Sequence, residues 1–465
     1  MPAESSHSGT RVFVYAYVSV LSVAAFLLYG PTLIAKNGAE KVGNKALGSS
    51  ADIPRLDDAP LLFSEYSEGL WEGFDGSPEK LECSDIHMAA NLELIGGGWT
   101  KAVYRAKIYG REVAIKTVHL NGRDVNECRR AGESPAVCYS RAAEKILKEL
   151  VLLTRIGHEN VLQVFGACFN EAMIPVAVVT ELGEPLDTLK ILQLPWEDRL
   201  RMALGVARIL HHLAHSPIGS LAMNDFRRQQ FVLVNGTTLK LSDVDDLGLR
   251  EPVCNTNKDC SLHLPSEMVN DSASVNPAMC IAGNCIGHNE RLNVWHAGRH
   301  FVQHLLPANA PPSLKPHIQQ LLNGYQSTTW NSEQILKMTE SLVANFVSGE
   351  YRKKGTEVKK GLSYTFYEPL NKSKRMIENL GFELIKDSDL PGIFDYRCDD
   401  SSSAAGCIIS VFNEVEAAEI CSRDSKCKAV VIGQQHTWTG RTVAIFKNGH
   451  CTPTVKTGYS LLLKK

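Results

Sequence analysis

Three charged side chains stand in or beside apolar segments, where an ionised group needs a partner or a chemical role. Lys116 ends the apolar run 113–115, and a buried lysine must find an opposite charge because burial without one is costly. Asp225 and Asp243 each lie beside an apolar strand segment. A carboxylate can accept a proton from a hydroxyl group or hold a divalent metal ion. A lysine followed by two such carboxylates could therefore bind a phosphate group together with its metal ion. Such a site could transfer the phosphate to a hydroxyl.

A glycine-rich turn comes before Lys116. Glycines at the first, third and sixth positions of such a loop let backbone amides approach phosphate groups, and Gly96 and Gly98 fit the first two positions. Lys101 replaces the third glycine, so the loop taken alone is described equally well as a glycine-rich hairpin turn. The predicted nucleotide-binding residues are Gly96, Gly97, Gly98, Val103, Lys116 and Glu181.

The lysine and its expected partner fall in the order found in protein kinases. In kinases this lysine holds the α- and β-phosphates of ATP, and a helix glutamate holds the lysine. Glu149 lies in the predicted helix 142–156 and is the expected partner of Lys116, with Glu144 as the alternative. The sequence His-Glu-Asn-Val-Leu that begins at His158 is typical of the segment after that kinase helix.

A second group forms the predicted catalytic segment. Asp225 is the expected base for the hydroxyl proton, and Arg227 is the basic residue two positions later. Gln230 stands where kinases have a metal-binding asparagine, and its amide oxygen lies one methylene further from the backbone. Asp243 takes the place of the metal-binding aspartate of Asp-Phe-Gly, with Asp245 at the glycine position. We predict Lys116, Glu149, Asp225 and Arg227 as catalytic residues, and Asp243 and Gln230 as ligands of Mg²⁺ or Mn²⁺ beside ATP.

Strand patterns precede helix patterns along the chain. Residues 90–120 alternate polar and apolar side chains, whereas 196–215, 293–306 and 312–322 have helical spacing. This order predicts an α+β, two-lobed protein-kinase-like fold: an N-terminal antiparallel sheet with a C-helix, then a helical C-lobe, then a small cysteine-containing module. The segment that begins with Asn293-Val-Trp resembles the start of the kinase F-helix, with asparagine in place of aspartate.

Four regions are predicted. Residues 1–35 form a signal anchor or a signal peptide, 36–80 a flexible stalk, 81–350 the kinase-like domain and 351–465 a C-terminal extension. The apolar run 12–29 is at the lower length limit for a spanning helix and slightly long for a signal-peptide core, so anchor and cleaved peptide both stay open. We interpret the C-terminal extension as a PAN/apple-like module that binds substrate or the back of the kinase domain.

The cysteines and sequons indicate an oxidising compartment. All thirteen cysteines follow the apolar run. Most fall in close pairs, namely Cys128 with Cys138, Cys254 with Cys260, Cys280 with Cys285, Cys398 with Cys407 and Cys421 with Cys427. These spacings suit small disulfide loops better than zinc sites, although connectivity stays open and the odd count leaves one thiol over. N-glycans are expected at Asn235, Asn270 and Asn371. The net charge of −2 gives no support for a nucleic-acid partner, and none is expected.

Several blocks resemble the vertebrate lonesome kinase family of secreted tyrosine kinases, from about residue 80 to the C-terminus. The blocks begin at Gly98-Trp-Thr-Lys, Leu210-His-His-Leu, Asp225-Phe-Arg, Leu305-Leu-Pro and Thr437-Trp-Thr-Gly-Arg. The resemblance implies an ATP-dependent kinase of the Golgi lumen and extracellular space that phosphorylates tyrosines of secreted and extracellular-matrix proteins. If the N-terminal segment is not cleaved, we expect a single-pass type II membrane protein. The tyrosine acceptor rests on the resemblance alone.

Two other functions stay open. Lys101, Gln230 and the loss of the His-Arg pair before Asp225 favour a lumenal pseudokinase scaffold. An Asp-x-Asp similar to that at Asp243 also occurs in the O-mannose type of glycan kinase. The four cysteines between Asp243 and Asn293 suggest a further hypothesis, in which disulfides brace the activation segment and make a phosphorylation switch unnecessary.

Overall fold

The structure is a computed structural model, and it describes residues 80–169, 175–262, 278–327, 329–349, 351, 370–398, 401 and 406–465. The apolar run 12–29, the stalk before residue 80 and the sequon at Asn270 lie outside these residues. Among the described residues, no helix combines the length and apolar character needed to cross a membrane. The described chain forms two compact units, one of residues 80–157 and 162–182 and the other of residues 158–161 and 183–465.

The first unit is built on an antiparallel sheet with the strand order β1-β2-β3-β5-β4. Its strands are β1 (Ala90–Gly97), β2 (Lys101–Ile108), β3 (Arg111–Val118), β4 (Val164–Cys168) and β5 (Ala177–Glu181). Tyr109 and Gly110 both have positive φ and form the two-residue turn between β2 and β3. Inward-facing Ile108, Val113 and Val179 are buried in the core of this sheet. The antiparallel sheet predicted for residues 90–120 is therefore confirmed.

Three helices accompany the sheet: α1 (Cys83–His87), α2 (Arg123–Arg130) and α3 (Pro135–Arg155). The helix predicted over 142–156 is confirmed but begins at Pro135. Ser134 caps its start by accepting a hydrogen bond from the backbone N–H of Val137, and proline is favoured at the first helical position. Ile146, Leu150 and Leu153 recur at helical spacing and are buried.

The second unit begins with a largely helical region. Its helices are α4 (Thr188–Gln193), α5 (Trp196–Ala214), α6 (His288–Ala297), α7 (Gln303–Leu305), α8 (Lys315–Ser327) and α9 (Ser332–Ser348), and its short strands are β6 (Glu184–Pro185), β7 (Ala222–Met223), β8 (Phe231–Val234), β9 (Thr238–Leu241), β10 (Leu247–Gly248), β11 (Met279–Ile281) and β12 (Asn284–Ile286). Helix α5 is buried on nearly all sides and forms the centre of this region. A π turn at Gly298–Val302 separates α6 from α7, within the single helix predicted over 293–306.

The last part of the second unit is another antiparallel sheet. It has the order β13-β17-β15-β16-β14, with β13 (Phe382–Asp389), β14 (Cys407–Val411), β15 (Ala429–His436), β16 (Thr442–Lys447) and β17 (Thr454–Lys464). Helices α10 (Leu370–Asn379) and α11 (Glu414–Arg423) accompany it. Phe382, Phe446 and Leu462 are fully buried in its core. Its assignment to the PAN/apple class stays a prediction.

A loop between β15 and β16 joins this C-terminal sheet to the helical region of the same unit. We call residues 437–441 the joint loop. The Trp438 indole N–H donates to the backbone oxygen of Glu197 over 3.0 Å, and the Thr439 hydroxyl donates to the Glu197 carboxylate. Arg441 donates to the backbone oxygen of Val347 over 2.8 Å at the end of α9. The joint loop thus fixes the C-terminal sheet through polar contacts of Trp438, Thr439 and Arg441.

The cysteines pair differently from the prediction in the segment before α6. Short loops form as expected at Cys128–Cys138, Cys398–Cys407 and Cys421–Cys427. The loops expected within Cys254/Cys260 and Cys280/Cys285 are wrong, because the bonds run crosswise as Cys254–Cys280 and Cys260–Cys285. Cys83 bonds to Cys168, and Cys451 is the cysteine without a disulfide. Closeness in the sequence does not predict these bonds. Cys280 and Cys285 lie opposite each other on β11 and β12, and each bonds to a cysteine of the preceding segment.

Candidate active site

The first unit supplies a buried ion pair. Lys116 lies on β3 and is 6% exposed, while Glu149 lies on α3 and is 1% exposed. The Lys116 ammonium donates to Glu149 Oε1 over 2.5 Å. The partner predicted for Lys116 is therefore Glu149, and the alternative Glu144 lies on the exposed side of α3. A charged lysine is stable in this strand because the helix brings a carboxylate to it.

The glycine-rich turn next to this pair is held in place by α2 and its preceding residues. His119 Nδ1 lies 2.9 Å from the backbone oxygen of Gly98, and the Thr100 hydroxyl donates to Asp124. The Arg123 guanidinium lies 4.2 Å from the centre of the Trp99 ring. Although burial opposes it, hydrogen bonds from Lys145 and Thr100 hold the pKa of Asp124 below its usual value. The turn is thus preorganised by a polar network rather than by glycines alone.

Gly96, Gly97 and Gly98 have no backbone requirement for glycine. None of the three has a positive φ. A methyl group added at Gly96 or Gly98 would meet its nearest atom at 3.8 or 3.6 Å, which is ordinary van der Waals contact. The absence of side chains leaves the surface of this turn uncovered, as the predicted phosphate-binding role requires.

Val103 and Glu181 take different places in the same sheet. Val103 pairs directly with Lys116 across β2 and β3, so its side chain lies on the same face as that lysine. Glu181 ends β5, and its carboxylate accepts a hydrogen bond from the backbone N–H of Gln163 over 2.7 Å. The Glu181 side chain is thus engaged with the segment before β4, and its part in nucleotide binding stays a prediction.

The second unit brings the predicted catalytic residues together. Asp225 accepts hydrogen bonds from the Arg227 guanidinium on both carboxylate oxygens, one of them over 2.5 Å. The Gln230 amide N–H donates to Asp225 Oδ2 over 2.7 Å. The hydrogen bond to Asp225 raises the pKa of Arg227, which stays cationic. The predicted metal ligand Gln230 thus contacts the predicted base directly through its amide N–H.

Asp243 is placed beside Gln230 by the backbone. The N–H groups of Ser242 and Asp243 both donate to the Gln230 carbonyl, over 2.8 and 3.2 Å. This contact closes the hairpin of β8 and β9, whose register pairs Phe231 with Leu241. This hairpin therefore brings the backbone of Asp243 to the backbone carbonyl of Gln230.

Two asparagines support the catalytic segment. Asn293 is 1% exposed; its side-chain oxygen accepts from the backbone N–H of Met223 over 2.8 Å, and its NH₂ donates to the carbonyl of Leu221 over 2.8 Å. An ionised aspartate could not make the second bond, so asparagine suits this place. Asn224 donates to the backbone oxygen of Asp246 over 2.9 Å. Asn293 is recognisable in the sequence as a motif position, whereas the contact of Asn224 is not, because the sequence shows only that an arginine is missing there.

His296 packs behind the catalytic segment. Its ring is stacked with Phe226 at a centroid distance of 6.4 Å. Burial lowers the pKa of His296 to about 4, and the neighbouring His300 and Arg299 act in the same direction. His296 is therefore neutral near pH 7 and serves as packing for the segment that carries Asp225.

The donor set suits a divalent metal and a phosphate. Asp243 and Gln230 offer a carboxylate and an amide oxygen, which are the hard ligands that Mg²⁺ and Mn²⁺ prefer. Lys116, fixed by Glu149, offers a cation next to an open glycine-rich strand. Each unit thus carries its part of the predicted site as a connected group. Sequence analysis missed Lys101, whose ammonium also donates to Glu149; only its departure from glycine was visible.

Comparison with known proteins identifies the family. No protein-family model matches the chain. The human extracellular tyrosine-protein kinase PKDCC is 38% identical over 381 residues, which cover 81% of this chain and 72% of that protein. A probable leucine-rich repeat receptor-like protein kinase of Arabidopsis thaliana is 28% identical over 175 residues, or 35% of this chain and 14% of that protein.

Among solved structures, an apo pseudokinase aligns with 57% of this chain and 97% of its own, at 16% identity and a TM-score of 0.34. The antiparallel sheet with its lysine–glutamate pair and the helical region with its catalytic segment are the parts of a protein-kinase-like fold. With a 38% identical relative that spans most of both sequences, this chain belongs to the family of the extracellular tyrosine-protein kinase PKDCC.

Proposed function

We propose that this chain is an active ATP-dependent protein kinase that transfers the γ-phosphate to tyrosines of secreted and extracellular proteins. The observation that carries the proposal is the connected group of Asp225, Gln230 and Asp243 in the second unit. The Gln230 side chain contacts the Asp225 carboxylate and its backbone carbonyl accepts from the N–H of Asp243, so the expected base and both expected metal ligands lie along one hydrogen-bonded path. The Lys116–Glu149 pair of the first unit supports the same proposal.

Each residue has a distinct task in this mechanism. Lys116, oriented by Glu149, binds phosphate oxygens of ATP. Asp225 accepts the proton of the acceptor hydroxyl, and Gln230 holds this carboxylate in place through its N–H. Bound at Asp243 and Gln230, a divalent metal would neutralise the charge that develops on the phosphates. Most of the rate enhancement then comes from positioning and charge stabilisation.

The proposed compartment is the secretory pathway, with the Golgi lumen and the extracellular space as places of action. Six disulfides among the described residues form readily only in an oxidising compartment. The relative PKDCC is named extracellular. Asn235 lies exposed in the turn between β8 and β9, where an N-glycan can be attached without burial. Asn371 falls in α10, and a glycan there is part of the same proposal.

The test uses the full chain secreted from eukaryotic cells. Wild type is incubated with ATP, Mn²⁺ and secreted acceptor proteins, and the products are analysed for phosphotyrosine. Asp243→Asn should abolish transfer because it removes a metal-binding carboxylate, whereas Asp246→Asn, the same change at an exposed neighbouring aspartate, should retain it. Phosphate on a glycan instead of tyrosine would favour the glycan-kinase alternative.

One observation favours a second candidate, a lumenal pseudokinase scaffold. Arg227 occupies both oxygens of Asp225, and a base so engaged is less available to a hydroxyl. Arg227 is exposed, however, so the pair is screened by solvent and can open. If wild type and Asp243→Asn both transfer no phosphate to protein or glycan, the scaffold is the correct function.

A further inference from the structure

One carboxylate in the first unit binds two lysines. Glu149 Oε1 accepts from Lys116, and Glu149 Oε2 accepts from Lys101. The two bonds use different oxygens, so neither lysine displaces the other. Lys101 stands where a standard glycine-rich loop has its third glycine.

The strand register places the two lysines on one face of the sheet. Val103 pairs with Lys116, and Lys101 precedes Val103 by two residues on β2. Side chains two residues apart on a strand point to the same face, and diagonal cross-strand neighbours are within reach of long side chains. Lys101 therefore extends from the phosphate-binding loop towards the place that Lys116 also reaches.

Lys101 is also fixed along its length. Its backbone oxygen accepts from the N–H of Gly98 over 2.8 Å, which closes the glycine-rich turn. Its side chain is 11% exposed, and Glu149 holds its ammonium group. The rotamer freedom that a surface lysine would lose on binding a ligand is thus already largely lost.

We propose that Lys101 is a second phosphate-binding lysine of the nucleotide site. The proposal rests on ATP binding as put forward above. Two ammonium groups held at one carboxylate repel each other, and a polyphosphate bound beside them lowers that repulsion while both lysines donate to its oxygens. The lysine in the loop then replaces the close backbone approach that a third glycine would provide, which accounts for this departure from the kinase pattern.

A purely structural role for Lys101 would be to orient Glu149. The two roles differ in whether the positive charge of Lys101 is needed. Both predict weaker binding of ATP and unchanged binding of adenosine in Lys101→Met, because Glu149 orients the phosphate-binding Lys116. A structural role needs only a polar partner for Glu149, so Lys101→Gln should then bind ATP like wild type, whereas a phosphate-binding lysine is not replaced by glutamine. Lys101→Gln keeps a polar group for Glu149 without the charge, and Lys101→Arg keeps the charge.

The experiment measures the binding of Mg²⁺–ATP and of adenosine to the full secreted chain by calorimetry. Lys101→Met and Lys101→Gln should weaken ATP binding about tenfold or more, the usual effect of losing a hydrogen bond to a charged group, and leave adenosine binding unchanged. Lys101→Arg should restore most of the affinity for ATP. Lys107→Met, at an exposed position further along the same strand, is the matched control and should bind both ligands like wild type.

Three results would overturn the proposal. If Lys101→Gln binds ATP like wild type, whether or not Lys101→Met does, Lys101 does not touch phosphate. Equal weakening of ATP and adenosine binding would show that Lys101 only shapes the site. If wild type binds ATP no more tightly than adenosine, or binds no nucleotide, the proposed kinase function is wrong. The proposal for Lys101, which rests on it, is then wrong as well.

Discussion

Removal of the Arg441 side chain should separate the C-terminal sheet energetically from the helical region of the same unit. Arg441 is 1% exposed and donates to Val347 in the helical region and to Ser410 in the C-terminal sheet. It also donates to both oxygens of Glu416, each over 2.7 Å. In Arg441→Met the chain keeps a similar volume but loses every one of these bonds.

The magnitude follows from the partner that is left behind. Loss of one member of a buried ion pair typically costs about 3–5 kcal/mol because the other charge stays buried without it. Glu416 is 13% exposed and still accepts from the backbone N–H of Phe412, so we expect the lower end, about 3 kcal/mol. For a unit of this size that corresponds to a fall in Tm of roughly 6–12 °C.

The assay is thermal unfolding of the secreted chain, measured by calorimetry. Arg423→Met is the control, because the Arg423 side chain is 62% exposed and pairs with Glu419 on the same helix. This substitution should change the free energy of unfolding by less than about 0.5 kcal/mol. Arg441→Met combined with Glu416→Gln should recover part of the loss, since the buried charge is then removed as well. A Tm of Arg441→Met within about 1 °C of wild type would refute the reasoning.

Three further outcomes are expected. Cys254→Ser combined with Cys280→Ser removes one disulfide of the activation segment. The free energy of unfolding, measured by denaturant unfolding, should fall by about 2–4 kcal/mol, and phosphoryl transfer in a kinase assay should be reduced. Stability should fall by about 1–2 kcal/mol as the pH drops from about 6.5 to about 4, because unfolded His296 takes up a proton in this range and folded His296 does not; in His296→Phe this contribution should be lost. Gly122→Ala places a methyl group 2.3 Å from the Trp99 backbone oxygen. This substitution should lower the free energy of unfolding by about 1–3 kcal/mol and raise the KM for ATP.

Each of these has an outcome that contradicts it. Unchanged activity and stability in the double cysteine variant would mean that the crossed bonds do not brace the segment. An acid-unfolding curve that His296→Phe leaves unaltered would assign the pH dependence to other groups. Gly157→Ala, where the nearest atom to an added methyl group is 3.7 Å away, is the control for Gly122→Ala, and equal stability of the two would contradict the steric argument.

The sequence predicted those parts of the fold and site that depend on local patterns. An apolar strand with one lysine and an apolar helix face with one glutamate were enough to pair Lys116 with Glu149. The apolar strand segments expected beside Asp225 and Asp243 are β8 and β9, and their hairpin brings the backbone of Asp243 to that of Gln230. In these cases the periodicity of the segment determines where the charged side chain points.

Features that depend on register or on distant contacts were beyond sequence reasoning. Lys101 was visible only as a missing glycine, because its bond to Glu149 depends on the packing of α3 against the sheet. The contacts of Trp438 and Arg441 join residues about a hundred or more positions apart in the sequence, and no local pattern indicates them. The resemblance that these two residues carried gave no clue to their structural role.

The crossed disulfides before α6 have a consequence for how the protein matures. Closing a short loop costs less chain entropy than closing a long one, so newly made chains should first join Cys254 to Cys260 and Cys280 to Cys285. The native bonds instead span 26 and 25 residues, and reaching them requires thiol–disulfide exchange. A disulfide isomerase should therefore set the yield of correctly bridged chains. Preparations oxidised without one should contain isomers of identical mass that differ in activity.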